Sequence, residues 1–312
     1  MTITESFGAM NTAVSGGFRT DRMTGKKLFQ EVRRRVEDFE ARFSRFKADS
    51  ELSKLNKRAG APTAVSDEMF DLLTDAQAIW KITDGLIDPT IGQAVIAAGY
   101  DASFELLPLA DGGFERQKNE FPRATFQDVY IDTKRRAVTL PIGVTLDFGG
   151  LGKGYLLDKL APVIDTATSD YWLSFGGDLL VSGTDDGGRP WHIGIQDPRV
   201  LEKDIMQLRP PKGRWGIATS GIMKRRGVRR GTPWHHLIDP RTGQPAVTDV
   251  IESTVLAHTA LEADAMAKAV LLRGSIEGIT WAESLHTIEA LVISADNRVL
   301  TTEKMKRYIK NR

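Results

Sequence analysis

The chain has 312 residues, 41% hydrophobic and 27% charged, which is ample for a sizeable core in one large domain or two. A formal net charge of +1 argues against a nucleic-acid or membrane-surface protein, for which a marked basic excess is expected. Cysteine is absent, which removes disulfides, thiolate metal sites and cysteine nucleophiles. Met1 to Ser6 has neither the basic nor the apolar region of a signal peptide, and no apolar run approaches the ~20 residues of a membrane span, so a cytoplasmic protein is expected.

Phe7 to Phe18 is short and Gly-rich and reads as a strand followed by a turn. From Thr24 to Phe46, Leu28, Val32, Val36, Phe39 and Phe43 recur at helical spacing, with Lys and Arg on the opposite face. Ser50 to Asn56 reads as a turn or a single helical turn. Ser66 is a suitable N-cap for a second helix carrying Met69, Leu72, Leu73, Ala76, Ile79 and Trp80, which Asp84-Gly85 ends. An Asp-Pro turn follows at Leu86 to Gly92, and Asp101 to Gln127 reads as loop. Val129 to Asp132, Ala137 to Leu140 and Val144 to Phe148 have the composition of short strands.

The last of these enters Gly149-Gly150-Leu151-Gly152-Lys153-Gly154-Tyr155, and a helix continues to about Ile164. A strand, a glycine-rich turn and a lysine at a helix start suit an anion, because backbone N–H groups and the positive helix end face it. Close backbone packing is the competing explanation for such glycines. Tyr171 to Phe175 and Leu179 to Ser182 read as strands around Gly176-Gly177-Asp178, and Trp191 to Gln196 as another. Gly213 to Ala218 leads into Thr219-Ser220-Gly221, a small, donor-rich turn. Glu252 to Ala257 is a strand. Leu261 to Leu272 is an alanine-rich helix ended by Gly274, Ser275 to Leu285 is a helix, and Ile288 to Ser294 with Arg298 to Thr301 is a hairpin.

Trp234-His235-His236-Leu237-Ile238-Asp239-Pro240-Arg241-Thr242-Gly243-Gln244-Pro245 is the densest stretch for chemistry. If Leu237 and Ile238 end a strand, Asp-Pro stops it and Gly243 takes a φ > 0 position. The adjacent histidines then face opposite ways, one toward a cleft and one into packing. A histidine there is either a proton shuttle or a structural residue beside a turn. The cations of Lys224 to Arg230 form either a solvated loop or a steering patch for an acidic ligand.

Taken in order, these segments resemble the ApbE-type FAD:protein FMN transferases. The resemblance is carried by Phe7 to Thr12, Ser50 to Asn56, Asp88-Pro89-Thr90, Asp147 to Tyr155, Gly176-Gly177-Asp178, Thr219-Ser220-Gly221 and His236 to Pro245, and spans residues 7 to 300. It implies a T-fold-like α+β scaffold of mainly antiparallel sheets with packed helices, as one domain or two intimately packed subdomains with an FAD cleft between them. It implies cleavage of FAD, attachment of FMN to a threonine or serine of an acceptor protein, and release of AMP. Two alternatives stand beside it: an FAD pyrophosphatase releasing FMN and AMP, and a non-catalytic FAD-binding relative.

On that resemblance His236 is the base. Lys153, Gly149, Gly150, Gly176, Gly177, Asp178, Thr219, Ser220 and Gly221 belong to the FAD site, with Met10 near the isoalloxazine and Asp88 near the flavin or adenine end. Magnesium is expected on the diphosphate, held by the Gly152 carbonyl, Asp264 and a hydroxyl one helical turn later. Here Lys268 stands in the hydroxyl's place. Being i and i+4 on a helix, Asp264 and Lys268 point the same way. The pair is either an ordinary intrahelical ion pair or an ammonium standing in the metal's place, and on the second reading weakened or absent magnesium binding is expected. Asn11 is a second departure, standing where the family has glycine.

Overall fold

The computed structural model describes residues 1–98, 124–200, 202–223, 226–229 and 232–311. The chain divides into two units, Met1–Asp38 with Leu151–Lys224 and Thr248–Arg312, and Phe39–Gly150 with Arg225–Val247. Among the described residues no helix is long and apolar enough to cross a membrane.

The first unit is framed by backbone pairing. Strands β1 (Thr2–Ala9) and β2 (Thr12–Arg19) run antiparallel, with Ala9 opposite Thr12, so the connection is the dipeptide Met10-Asn11. Both residues are left-handed, with φ of 52° and 54°. Such a turn matches the natural twist of a hairpin, and asparagine tolerates it better than most side chains. The expected single strand and turn is thus a complete hairpin. Asn11 meets the same backbone requirement that a glycine would.

Strands β6 (Tyr171–Phe175) and β7 (Asp178–Ser182) are joined in the same manner by Gly176-Gly177, at φ of 66° and 103°. With β10 (Trp215–Gly221), β15 (Val250–Ala257), β16 (Glu289–Ser294) and β17 (Val299–Thr301) they complete an eight-stranded sheet in the order β1-β2-β6-β7-β10-β15-β16-β17, its edges being β1 and β17. Helices α5 (Gly152–Asp165), α6 (Ala260–Arg273) and α7 (Ser275–Leu285) pack on this sheet. Their approach is close: a methyl group at Gly154 would lie 2.5 Å from the Ala260 carbonyl oxygen, and one at Gly216 would lie 2.2 Å from that of Thr259.

On the sheet's other face, Val181, Ile217, Leu256 and Leu291 bury against Ile195, Met206, Leu208 and Met305. The latter residues come from β8 (Ile193–Gln196), β9 (Asp204–Leu208) and α8 (Met305–Tyr308). Strand β18 (Ile309–Asn311) pairs with β9, giving a small sheet in the order β18-β9-β8. The sequence reading found β8 but not β9, α8 or β18.

The second unit begins with the last turn of α1 (Arg22–Phe43), whose stripe of Leu28, Val32, Val36, Phe39 and Phe43 is buried as its spacing predicts. Ser50 caps α2 (Glu51–Lys57) through the Ser53 N–H at 3.0 Å, and Ser66 caps α3 (Asp67–Ile82) through the Met69 N–H at 3.2 Å. Strands β3 (Thr63–Ala64), β4 (Tyr130–Asp132) and β5 (Ala137–Thr139) form a sheet ordered β3-β5-β4, and α4 (Gly92–Ala97) follows the Asp-Pro turn.

Val144 to Phe148 is not the strand its composition suggested. The Asn56 side chain donates to the Leu146 carbonyl and accepts from the Leu146 N–H, and the Asp147 N–H goes to the Pro89 carbonyl. With these groups satisfied, the segment has only one isolated bridge, Thr145 to Ile91. Of the expected loop at 101–127, residues to 123 lie outside the described residues. Lys224, Arg225 and Arg230 of the basic run do too, while β11 (Arg226–Arg229) pairs with β12 (Thr232–His235). A last pair, β13 (Ile238–Asp239) and β14 (Gln244–Pro245), flanks the Pro240 to Gly243 turn.

The left-handed hairpin turn sets a stability test. Asn11→Gly should leave the unfolding free energy from urea titration within about 0.5 kcal/mol of wild type, whereas Asn11→Val, β-branched at φ > 0, should cost about 1–2 kcal/mol.

Candidate active site

In the first unit the later part of the glycine-rich stretch, from Gly152, becomes the start of α5. Leu151 provides no side-chain cap there. The Gly154 N–H in the first turn donates instead to Asp264 Oδ2 at 3.3 Å, so a carboxylate from α6 meets the positive helix end. The closeness of Gly154 to Ala260 makes this possible, and packing therefore accounts for that glycine. Lys153, one residue earlier, forms an ion pair with Asp178, the first residue of β7.

Asp178 is 4% exposed and Asp264 1%. Burial pushes the Asp178 carboxyl above its ordinary range, opposed by the Lys153 ammonium beside it. Asp264 and Lys268 raise and lower it further, in that order, which places all four charges in one electrostatic neighbourhood. Buried pairs of this kind contribute little net stability. What they supply is a fixed array of charge. Beside Asp178, Gly176 touches Thr12, where a methyl would lie 2.2 Å from the hydroxyl oxygen, while a methyl at Gly177 would meet nothing within 4 Å. The hairpin tip is open there to an approaching ligand.

Thr219, Ser220 and Gly221 require a correction. They are not a turn but the end of β10, paired with Thr254, Ser253 and Glu252 of β15. Strand alternation separates their side chains. Thr219 shares the face of Ile217, and its hydroxyl bonds that of Thr254 at 2.9 Å. Ser220 shares the face of Gly216, against which α6 packs. Thr219 and Ser220 therefore cannot both present hydroxyls to one phosphate. Small residues imitate a turn in sequence, and the pairing with β15 overrides that signal.

The metal expectation meets a poor donor set. Asp264 Oδ1 is ion-paired with Lys268, whose ammonium also donates to the Asp264 carbonyl at 3.1 Å, and Oδ2 accepts from Gly154. Among the described residues no group of three or more His, Asp or Glu side chains is placed to hold an ion. These residues do not fit a magnesium ion, which demands near-octahedral oxygen coordination.

In the second unit Asp88 is buried, and four protein donors engage its carboxylate: the Thr90 N–H and hydroxyl at Oδ1, and the Trp80 indole N–H and Phe126 N–H at Oδ2. Asp88 therefore acts through the backbone it positions. A cavity of 460 Å³ opens beside it, lined by Trp80, Gln93, Thr125, Arg241, Thr242 and Gln244 among others. Arg241 lies against Asp239, Nη2 to Oδ2 at 2.8 Å, which stiffens the turn bounding that cavity. Gly149 donates to Asp147 Oδ1 at 2.6 Å, and Arg45 holds Oδ2 at 2.8 Å. The sequence places Trp80 on the apolar face of a helix rather than at a cavity, and Arg45, which carries no motif signal of its own, was missed.

The two histidines differ in their backbone setting: only His235 lies in a strand. His235 ends β12, with Nε2 2.9 Å from the Ala246 carbonyl and Nδ1 buried without a hydrogen-bond partner. The bond fixes the proton on Nε2, and burial lowers the pKa, so this ring is neutral. His236 is half-buried at the bend immediately after the strand.

The ApbE family model matches residues 10–292. The chain belongs to the ApbE family. Among curated ApbE relatives, an FAD:protein FMN transferase of Haemophilus influenzae is 27% identical over 286 residues, covering 89% of this chain and 82% of the relative. That of Salmonella typhimurium is 30% identical over 250 residues, covering 74% and 67%. The crystal structure of the ApbE protein from Thermotoga maritima superposes with a TM-score of 0.89 at 25% identity, covering 100% of both chains. The ApbE fold, a mixed α+β architecture with antiparallel sheets, is thereby established.

His235 yields a test with a defined sign. Its folded pKa lies below the unfolded value of about 6.5, so below that pH the unfolded chain binds more protons and the native state loses stability as pH falls. Urea midpoints at about pH 7.5 and 5.5 should differ more for wild type than for His235→Gln, which keeps a donor for Ala246 but does not titrate. Equal losses would contradict this.

Proposed function

We infer that this protein is an FAD:protein FMN transferase, which joins FMN through its phosphate to a threonine or serine hydroxyl of an acceptor protein. The match to the ApbE family over residues 10–292 carries the inference. The acceptor oxygen attacks the FMN-side phosphorus. The new P–O bond forms as the P–O–P bond breaks, and AMP departs with the bridging oxygen and its electron pair. Such a displacement needs alignment, positive charge and a base.

His236 is the proposed base, taking the hydroxyl proton and passing it to solvent. Its neighbour His235 is unsuited, because the nitrogen free to take a proton, Nδ1, is buried, and Nε2 is committed to the Ala246 carbonyl. Lys153 is the proposed phosphate ligand. It is 26% exposed and held by Asp178, so its ammonium is oriented before substrate arrives. Ser220 and the N-terminal turn of α5 add donors, while the Gly176-Gly177 tip, whose N–H groups are held by the Ala13 carbonyl and the Ser174 hydroxyl, leaves room for the substrate. Gly149 and Gly150 let the chain approach the substrate closely, and Met10 is assigned to the isoalloxazine. The cavity beside Asp88 is of a size to take one end of the dinucleotide. No step is assigned to magnesium, for which the donor set is poor.

The test is mass spectrometry of a threonine-containing acceptor incubated with FAD and the protein. Covalent FMN on the acceptor is expected. Free FMN with AMP would make the protein a pyrophosphatase, and intact FAD would make it a binding protein. His236→Ala should lower transfer by about 10²–10⁴-fold while retaining FAD binding, and full activity would remove that ring from the chemistry.

A further inference from the structure

We propose that Lys268 supplies, from within the chain, the positive charge otherwise brought by a divalent cation, so that FAD binding here is independent of such ions. The proposal rests on the transferase reading and deepens it.

The first observation is geometric. Asp264 is the acid expected to ligate a metal, yet both of its carboxylate oxygens and its carbonyl oxygen are engaged: Oδ1 and the carbonyl by Lys268, and Oδ2 by the Gly154 N–H. A divalent ion would have to displace an ammonium that touches two of these three oxygens. Lys268 itself is 15% exposed, so displacement would leave a largely buried cation without its counter-charge. An exposed pair at i and i+4 would be an ordinary solvated contact. Burial at the start of α5, where backbone N–H groups emerge, sets this one apart.

The second observation is electrostatic. Lys153 and Lys268 balance Asp178 and Asp264, so the four side chains sum to zero without any ion. Were position 268 a hydroxyl, the same group would carry −1, and a divalent ion would be needed to bring it to +1. A carboxylate-rich site repels a diphosphate until metal arrives. This one is already neutralised, and the remaining attraction comes from oriented donors that are always present. The ammonium is fixed by its own helix, so no ion has to be recruited from solution.

Titration of the substrate-free protein with Mn²⁺, followed by electron paramagnetic resonance, reads the site without any turnover. Wild type should show no stoichiometric Mn²⁺ site, and Lys268→Thr should gain one. FAD affinity, read from flavin fluorescence, should agree within about twofold in EDTA and in Mg²⁺ for wild type. For Lys268→Thr it should fall at least about tenfold in EDTA and recover in Mg²⁺. Lys268→Met, which keeps the stem but has neither charge nor hydroxyl, should lose FAD affinity without recovery. A stoichiometric Mn²⁺ site in wild type, or a tenfold gain in its FAD affinity on adding Mg²⁺, would overturn the proposal. Both wild-type measurements decide the matter even if a variant does not fold. Absence of FMN on the acceptor alongside the expected Mn²⁺ result would instead refute the transferase reading and leave the cation assignment standing.

Discussion

The bond from the Gly154 N–H to the Asp264 carboxylate is the contact on which the first unit's chemistry depends. It requires α5 and α6 to approach until a single added methyl would collide with the Ala260 carbonyl. Once they are that close, a carboxylate of one helix satisfies an orphan N–H of the other, and Lys153 emerges beside β7 to meet Asp178. Asp158 ties the same two helices from the other side, accepting from the Ala260 and Leu261 N–H groups at 2.9 and 2.8 Å. Each helix start is thus capped by an acid on its neighbour, and the charge array inherits that rigidity.

The helices were legible because their signals are local. Apolar spacing gave α1 and α3, alanine-rich composition gave α6, and Ser66 and Gly274 marked real boundaries. The strands β9 and β18 were not legible, since Ile309 opposite Leu208 is a pairing across most of a domain's length of chain. Val144 to Phe148 misled in the opposite direction: its apolar residues are buried, but Asn56 takes the hydrogen bonds that a partner strand would have taken.

The same distinction separates the parts of the site. Lys268 could be placed against Asp264 from helix geometry alone, since four residues make one turn. That Lys153 would meet Asp178 could not, because the two are brought together only by the packing of α5 on the sheet. Thr219 and Ser220 read as equivalent donors in a row of letters, and became opposites once β10 was seen to extend through them. Of His235 and His236, sequence could not tell which ring the fold would tether; the Ala246 carbonyl takes His235.

The long rim of the eight-stranded sheet has a consequence for how this protein behaves among copies of itself. One rim, β17, is three residues long and offers little to dock on. The other, β1, is eight residues long, and its outward row of amide and carbonyl groups is a template for a foreign strand. Its exposed middle carries Thr4, Glu5 and Ser6 in place of aliphatic side chains. Solubility at high concentration is therefore guarded along that border by a single carboxylate between two hydroxyls, on a strand that otherwise invites self-association.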